Sequence, residues 1–241
     1  MNCPEPYCGG ELELFAAARH WKAYVRARIA PFLGGRVLEV GAGLGGTTAA
    51  LAGLPHTGWV CLEPDAALVE TLARQVTAGT LPPVEPRRGT VATLAAAERF
   101  DTILYIDVVE HIADDRAELA RAARHLAPGG HLIVLSPAHP FLYSAFDRAV
   151  GHVRRYRRDT LLAVAPAGLA PARLEYLDSV GMLASLANRW LLRKDCPDAG
   201  QIALWDGLMV PLSRRLDPLL GHRLGKSILA VWGAPPGSGR P

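Results

Sequence analysis

Three imidazoles, His111, His139 and His152, are the side chains best suited to take a proton from a reacting hydroxyl, because an imidazole titrates near neutral pH. Asp107, Glu110 and His111 stand at i, i+3 and i+4, a spacing that could bring two carboxylates and a ring nitrogen onto one divalent ion. The densest polar run is Asp147 to Arg158, with His152, Arg154, Arg155, Tyr156, Arg157 and Arg158. Guanidinium groups grip carboxylate or phosphate with two prongs, so this run could face an anionic ligand. The competing reading is internal: Asp147 and nearby acids satisfy the arginines, and Arg157 and Arg158 begin a solvated helix. The second reading suits Arg157 and Arg158; His152, His111 and Arg154 are the catalytic candidates.

The elements that must position these groups are arranged around Arg36-Val37-Leu38-Glu39-Val40-Gly41-Ala42-Gly43-Leu44-Gly45-Gly46-Thr47-Thr48. A short apolar run holding an acid, then glycines at alternate positions, then small residues predicts a strand, a tight turn and a helix over roughly Thr47 to Leu54. Glycine there lets a ligand approach the backbone and accepts positive φ, while the helix start offers unpaired N–H groups. Trp59 to Asp65 predicts a second strand, placing Glu63 18 residues after Gly45, where a doubly wound fold puts the acid that binds ribose hydroxyls. Ala66 to Thr77 reads as the following helix, and Val84 to Arg88 as a weakly marked third strand. Ile103 to Ile106 predicts a fourth strand, buried on both faces, whose rim carries Asp107, Glu110 and His111. A helix over Asp115 to Leu126 stops before Pro128-Gly129, and His131 to Leu135 predicts strand five.

Together these features resemble the class I S-adenosylmethionine-dependent methyltransferases over most of the chain. The resemblance implies an α/β Rossmann-like fold: a mostly parallel seven-stranded sheet, its last strand antiparallel, with a helical insertion before that strand. It also implies S-adenosyl-L-methionine as cofactor, bound through Glu39, Gly41, Ala42, Gly43, Gly45, Glu63, Pro64, Gly89, Thr90, Asp107, Val108, His111 and Trp21. Glu39 would meet the methionine amino group and Glu63 the ribose. Gly89-Thr90 stands where the family often has Gly-Asp, so adenine recognition would fall to backbone groups or Thr90. Asp147, Gly151, His152, Arg154, Arg155 and Tyr156 match a bacterial subgroup with the pattern Asp-x-x-x-Gly-His-x-Arg-Arg-Tyr. Asp107-Val108-Val109-Glu110-His111 is similar to the Glu-x-x-Glu-His of ubiquinone-biosynthesis O-methyltransferases, with Asp for the first Glu.

The implied activity is O-methylation of a small or lipid-like acceptor, an anionic one being what the arginines suit, with a place in specialised metabolism. The alternatives are methylation of N, C or a macromolecule, and a module that binds the cofactor without transferring from it. The chain has 241 residues, half of them apolar, and a net charge of +3, a mild balance that neither demands nor excludes nucleic acid; no nucleic-acid partner is expected because the sequence shows no Asn/Asp-Pro-Pro-Tyr motif. With neither a secretory leader nor a long apolar run, the chain reads as cytoplasmic, a monomer or homodimer, and free of transmembrane segments. Cys61 falls inside a strand; Cys3 and Cys8 lack a second ligand pair for zinc.

The expected single domain divides into a helical cover (1–35), a cofactor-binding core (36–180), a helical insertion (181–223) and a last strand (224–233). In the cover, apolar spacing predicts a helix from Glu11 to Ala30; His20, Trp21 or Tyr24 either closes over the cofactor or packs on the sheet. A short helix opens at Leu161 to Val164, and Arg173 to Val180 reads as strand six. The tail after Gly233 is Gly/Pro-rich and reads as loose.

Overall fold

The computed structural model describes residues 17–187 and 198–236. The start of the helix expected from Glu11, Cys3 and Cys8, residues 188–197 of the expected insertion and the end of the tail fall outside these residues.

Seven strands form one sheet in the order β3-β2-β1-β4-β5-β7-β6. They are β1 (Arg36–Val40), β2 (Gly58–Glu63), β3 (Glu85–Arg88), β4 (Phe100–Ile106), β5 (Leu126–Pro137), β6 (Ala170–Leu177) and β7 (Ser227–Gly233). Neighbours pair in parallel except that β7 runs antiparallel to both β5 and β6. The central strands are continuous apolar runs because both faces are covered. One face carries a core with Val37, Leu104, Ile133 and Val231, the other a core with Leu38, Ile103, Leu132 and Trp232.

Helix α1 (Arg19–Ile29) precedes the sheet, and α2 (Gly46–Leu51) follows the glycine loop, ending three residues before the expected Leu54. Helix α3 (Ala66–Thr77) occupies the predicted span, capped by Asp65, whose carboxylate accepts from the backbone N–H groups of Ala67 and Leu68. Helix α4 (Asp115–Ala123) is shorter than expected because the chain enters β5 at Leu126, running through Pro128-Gly129-Gly130 with a register shift against β4. Short helices α5 (Ala145–Ala149) and α6 (Arg158–Ala163) flank the Gly-His-x-Arg-Arg-Tyr stretch.

Strand six was expected to reach Val180, but it stops at Leu177. Asp178 adopts φ +68°, and the buried Asp217 carboxylate accepts the N–H groups of Asp178 and Ser179 at 2.7 and 3.1 Å. Those bonds start helix α7 (Ser179–Ala187) where the strand would have continued. The insertion continues as α8 (Ala199–Leu204), a π turn (Trp205–Met209) and α9 (Val210–Leu219). Its second buried acid, Asp206, accepts the N–H groups of His20 and Trp21, so it caps α1 from 185 residues away. No described helix is long and apolar enough to cross a membrane.

Candidate active site

The carboxyl ends of the parallel strands share one rim, and the antiparallel β7 begins at that same edge, where Pro137 pairs with Ser227. At the β1 end, Gly41, Gly43 and Gly45 all take positive φ. The N–H of Gly41 donates to the carbonyl of Leu62 at 2.8 Å, pinning the turn to β2. A Cβ on Gly41 would lie 2.7 Å from a Val108 methyl, and one on Gly45 2.7 Å from Leu81, so both positions require glycine for space as well as conformation.

Glu39 is buried within β1. Its Oε2 accepts from Thr48 Oγ1 at 2.7 Å and Trp59 Nε1 at 2.8 Å, while Oε1 has no hydrogen-bond partner. Burial, opposed by these donors, pushes its carboxyl up to about 7. Glu63 is buried at the end of β2; one oxygen accepts Gly43 N–H at 2.9 Å and the other Asp65 N–H at 3.1 Å. Gly89 donates its N–H to the Glu63 carbonyl and Thr90 lies exposed next to it, as does Pro64 beside Glu63.

At the β4 end Asp107 takes φ +55°, a strained conformation for a non-glycine residue. It is solvent-accessible at the rim, and desolvation by the surrounding protein raises its carboxyl's pKa against the pull of His152 and Lys226. Glu110 is fully buried. Its Oε2 accepts from Ser136 Oγ at 2.9 Å, and its Oε1, like that of Glu39, has no hydrogen-bond partner among the described residues. Burial first, then the nearby Asp107, raises its pKa well above the carboxylate range.

His152 joins this group from the loop after α5. Its Nδ1 lies 2.9 Å from Asp147 Oδ1, its Nε2 3.8 Å from Glu110 Oε1, and its ring 4.7 Å from that of His111. Asp147 is fully buried and also accepts from Arg155 Nε at 2.7 Å, Arg155 Nη2 at 2.9 Å, and the N–H and hydroxyl of Ser144. Burial alone would raise its carboxyl, but the donors from His152 and Arg155 outweigh it and hold it below the ordinary range. Burial and the neighbouring His152 lower the pKa of His111.

The other members of the polar run are occupied internally. Arg154 pairs with Asp115 at 2.5 Å and donates to the carbonyl of Ala113, while Tyr156 donates its hydroxyl to the same Asp115. Arg157 pairs with Asp159 at the surface, as a solvated helix start should. Arg158, however, lies over the Tyr176 ring and donates to the carbonyl of His222. The arginines therefore give no support to an anionic acceptor. His139 stacks on Phe141 and Tyr176, apart from the His152 group. Trp21 is buried against Trp205 and Tyr24, and Tyr24 donates to Asp217, so both aromatics pack onto the insertion.

Donor atoms of Glu110, His111 and His152 all lie within 4.8 Å of one another, a set that could hold a metal ion. This group shares Glu110 and His111 with the trio that the sequence spacing could bring together, and has His152 where that trio has Asp107.

Residues 38–132 match the methyltransferase domain family. The ubiquinone biosynthesis O-methyltransferase of Sinorhizobium medicae (strain WSM419) is 30% identical over 196 residues, covering 72% of this chain and 78% of that protein. The chain belongs to the class I S-adenosylmethionine-dependent methyltransferases. The enzyme of the same name from Parvibaculum lavamentivorans is 31% identical over 123 residues, 47% of this chain and 48% of that protein. The chain thus spans about half the length of several curated methyltransferases it matches. Two solved structures share the fold. The [4+2]-cyclase SpnF has TM-score 0.63 and 18% identity over 92% of this chain and 82% of that one. The N-methyltransferase NodS of Bradyrhizobium japonicum WM9, in complex with S-adenosyl-L-homocysteine, has TM-score 0.56 and 17% identity over 90% of this chain and 86% of that one. A cyclase among the methyltransferase-like folds means that the fold alone does not fix the reaction.

The residues of this methyltransferase fit the family's cofactor. Glu39 Oε1 is a carboxylate oxygen lacking a donor, as an ammonium partner requires. Each Glu63 oxygen holds one backbone N–H and keeps a further lone pair for a hydroxyl. The glycine loop leaves its backbone bare between them. Sequence reasoning passed over Lys226, whose Nζ lies 3.8 Å from the Trp205 ring centre and 3.6 Å from Asp178 Oδ2. Burial lowers its pKa, opposed by Asp178. A single lysine before the last strand carries no local pattern; only the topology brings it beside Asp107.

Proposed function

We propose that this chain methylates a hydroxyl oxygen of a small or lipid-like acceptor, with His152 as the general base and Asp147 as its positioning residue. The pairing of Asp147 with His152 carries the reading. A carboxylate held ionised by His152 and Arg155 accepts a hydrogen bond from Nδ1–H, which leaves Nε2, on the Glu110 side of the ring, as the nitrogen that would take a proton. The strained Asp107 and the buried Glu110, whose pKa burial raises, complete the surroundings. Oxygen as the methylated atom is supported by the relatives named O-methyltransferases.

When bound, S-adenosylmethionine supplies a methyl group on a sulfonium sulfur, open to in-line attack. Glu39 would hold its amino group, Glu63 its ribose hydroxyls, and the backbone at Gly89 and Thr90 its adenine; Asp107, Val108 and His111 would line the neighbouring wall. The chain's work is then alignment, exclusion of water and acceptance of one proton at His152 Nε2. The Asp147 to Tyr156 network supports membership of the Gly-His-x-Arg-Arg-Tyr subgroup.

The test is S-adenosylhomocysteine formation over a panel of phenols and long-chain hydroxylated acceptors, with cofactor binding followed by calorimetry. His152→Ala should keep cofactor affinity and lose turnover by about 10²–10⁴-fold; Asp147→Asn should lose turnover as well, through the wrong tautomer. Unchanged turnover in His152→Ala removes His152 from the mechanism, and cofactor binding with no turnover in the wild type favours the binding-module alternative. A second reading is favoured by the clustered donors of Glu110, His111 and His152, in which a divalent ion acidifies the acceptor. Under that reading a chelator abolishes turnover; under the first it changes nothing.

A further inference from the structure

The outer face of the insertion carries an unpartnered row of leucines. Leu204, Leu208, Leu212, Leu216, Leu219 and Leu220 are 40 to 82% exposed, although each is a large apolar side chain. They recur mostly every fourth residue along α8, the π turn and α9. The opposite face buries Ile202, Trp205, Val210, Ser213 and Asp217 against the rest of the molecule. A helical element that has already buried one face and still presents a leucine stripe on the other is amphipathic twice over.

The exposed charges from Leu204 to Arg223 all have one sign, the exposed Asp198 lying before the stripe at the start of α8. Between residues 199 and 226 the only acids are Asp206 and Asp217, and both are buried and turned inward as helix caps. The exposed ionic residues are Arg214, Arg215 and Arg223, which have no ion-pair partner among the described residues. A second copy of the chain across a two-fold axis would set these arginines against each other with no acid on the face to relieve them. An anionic lipid surface answers both features, with acyl chains for the leucines and headgroup phosphates for the guanidiniums.

We propose that the leucine face of residues 204–220, flanked by Arg214, Arg215 and Arg223, seats this methyltransferase on the surface of an anionic membrane, lying in the interface rather than crossing it. The inference stands independently of the reaction proposed above.

The test is flotation of the full chain with vesicles of phosphatidylcholine alone or mixed with phosphatidylglycerol. The wild type should float with the phosphatidylglycerol vesicles, remain below with the neutral ones, and detach as salt is raised. Each arginine near such a surface contributes about a fivefold preference, so Arg214→Gln/Arg215→Gln should weaken binding by roughly twentyfold. Leu204→Ser/Leu208→Ser/Leu219→Ser, at the three most exposed positions of the stripe, should abolish it, and both variants should keep the far-ultraviolet circular dichroism and cooperative melting of the wild type. A wild type that fails to float, or a leucine variant that floats as well as the wild type, overturns the proposal. So does a dimer that the leucine substitutions dissolve while no form binds vesicles, since the face then belongs to a second copy.

Discussion

Glu39 has one oxygen engaged by Thr48 and Trp59, the other without a donor, and a pKa raised by burial to about 7 from an ordinary 4.5. A carboxyl raised in the folded state stabilises the fold below its unfolded pKa, and that contribution is lost as the pH rises through 4.5 to about 7. A ligand ammonium has the opposite preference, because it needs the ionised form. Affinity for S-adenosylhomocysteine should therefore climb by up to about tenfold per pH unit between roughly pH 5 and 7 and level off above. In Glu39→Gln the affinity should be weaker and flat across that range. Calorimetry over the pH series decides the matter, and a flat wild-type profile would remove the ammonium from Glu39.

The insertion is held to the sheet by buried acids rather than by its own helix propensity. Asp178 accepts from Gly181 N–H at 3.0 Å, Ser213 Oγ at 2.7 Å and Trp205 Nε1 at 2.7 Å, with Lys226 beside it. Asp178→Asn removes the charge and one acceptor lobe, which should cost about 2–3 kcal/mol. The loss should appear as faster amide exchange in α7 and α9, with β1 and β4 protected as before; uniform acceleration through the sheet would mean that the insertion and core are one unit. The same elements show what could be read from the chain beforehand. The strand, turn and helix from Arg36 to Leu51 and the helix Ala66–Thr77 follow from local signals, apolar runs and glycine spacing, whereas the reversal of β7 was implied by the family resemblance alone. Glu39, Glu63 and Asp107 fell on the strand ends for the same reason. The pairing of His152 with Asp147 lies inside one motif and was within reach of sequence. Glu110 facing His152, Lys226 facing Asp107, and Asp206 and Asp217 capping helices far away in the chain are products of topology, and no local pattern announces them.

At the scale of the whole molecule, both cores pack on the same six strands, all but β3, and the rim groups hang from four of them: Glu39 on β1, Glu63 on β2, Asp107 after β4, and Lys226 before β7. A ligand that binds the folded rim and not the unfolded chain stabilises the whole sheet by RT ln(1 + [L]/Kd), about 2.7 kcal/mol at a hundredfold excess over Kd. For a chain of 241 residues that corresponds to a rise in Tm of roughly 5–10 °C. S-adenosylhomocysteine should produce this shift and a nicotinamide dinucleotide should not, because the second acid-lined turn is built around Gly43 and Glu63 while Glu39 waits for an ammonium. Gly45→Ala, which would drive a methyl group into Leu81 and Leu72, should lower the Tm of the free protein and shrink the ligand-induced rise together, since one loop serves both the fold and the site. A full rise in that variant, measured by scanning calorimetry at matched ligand excess, would place the nucleoside elsewhere on the rim.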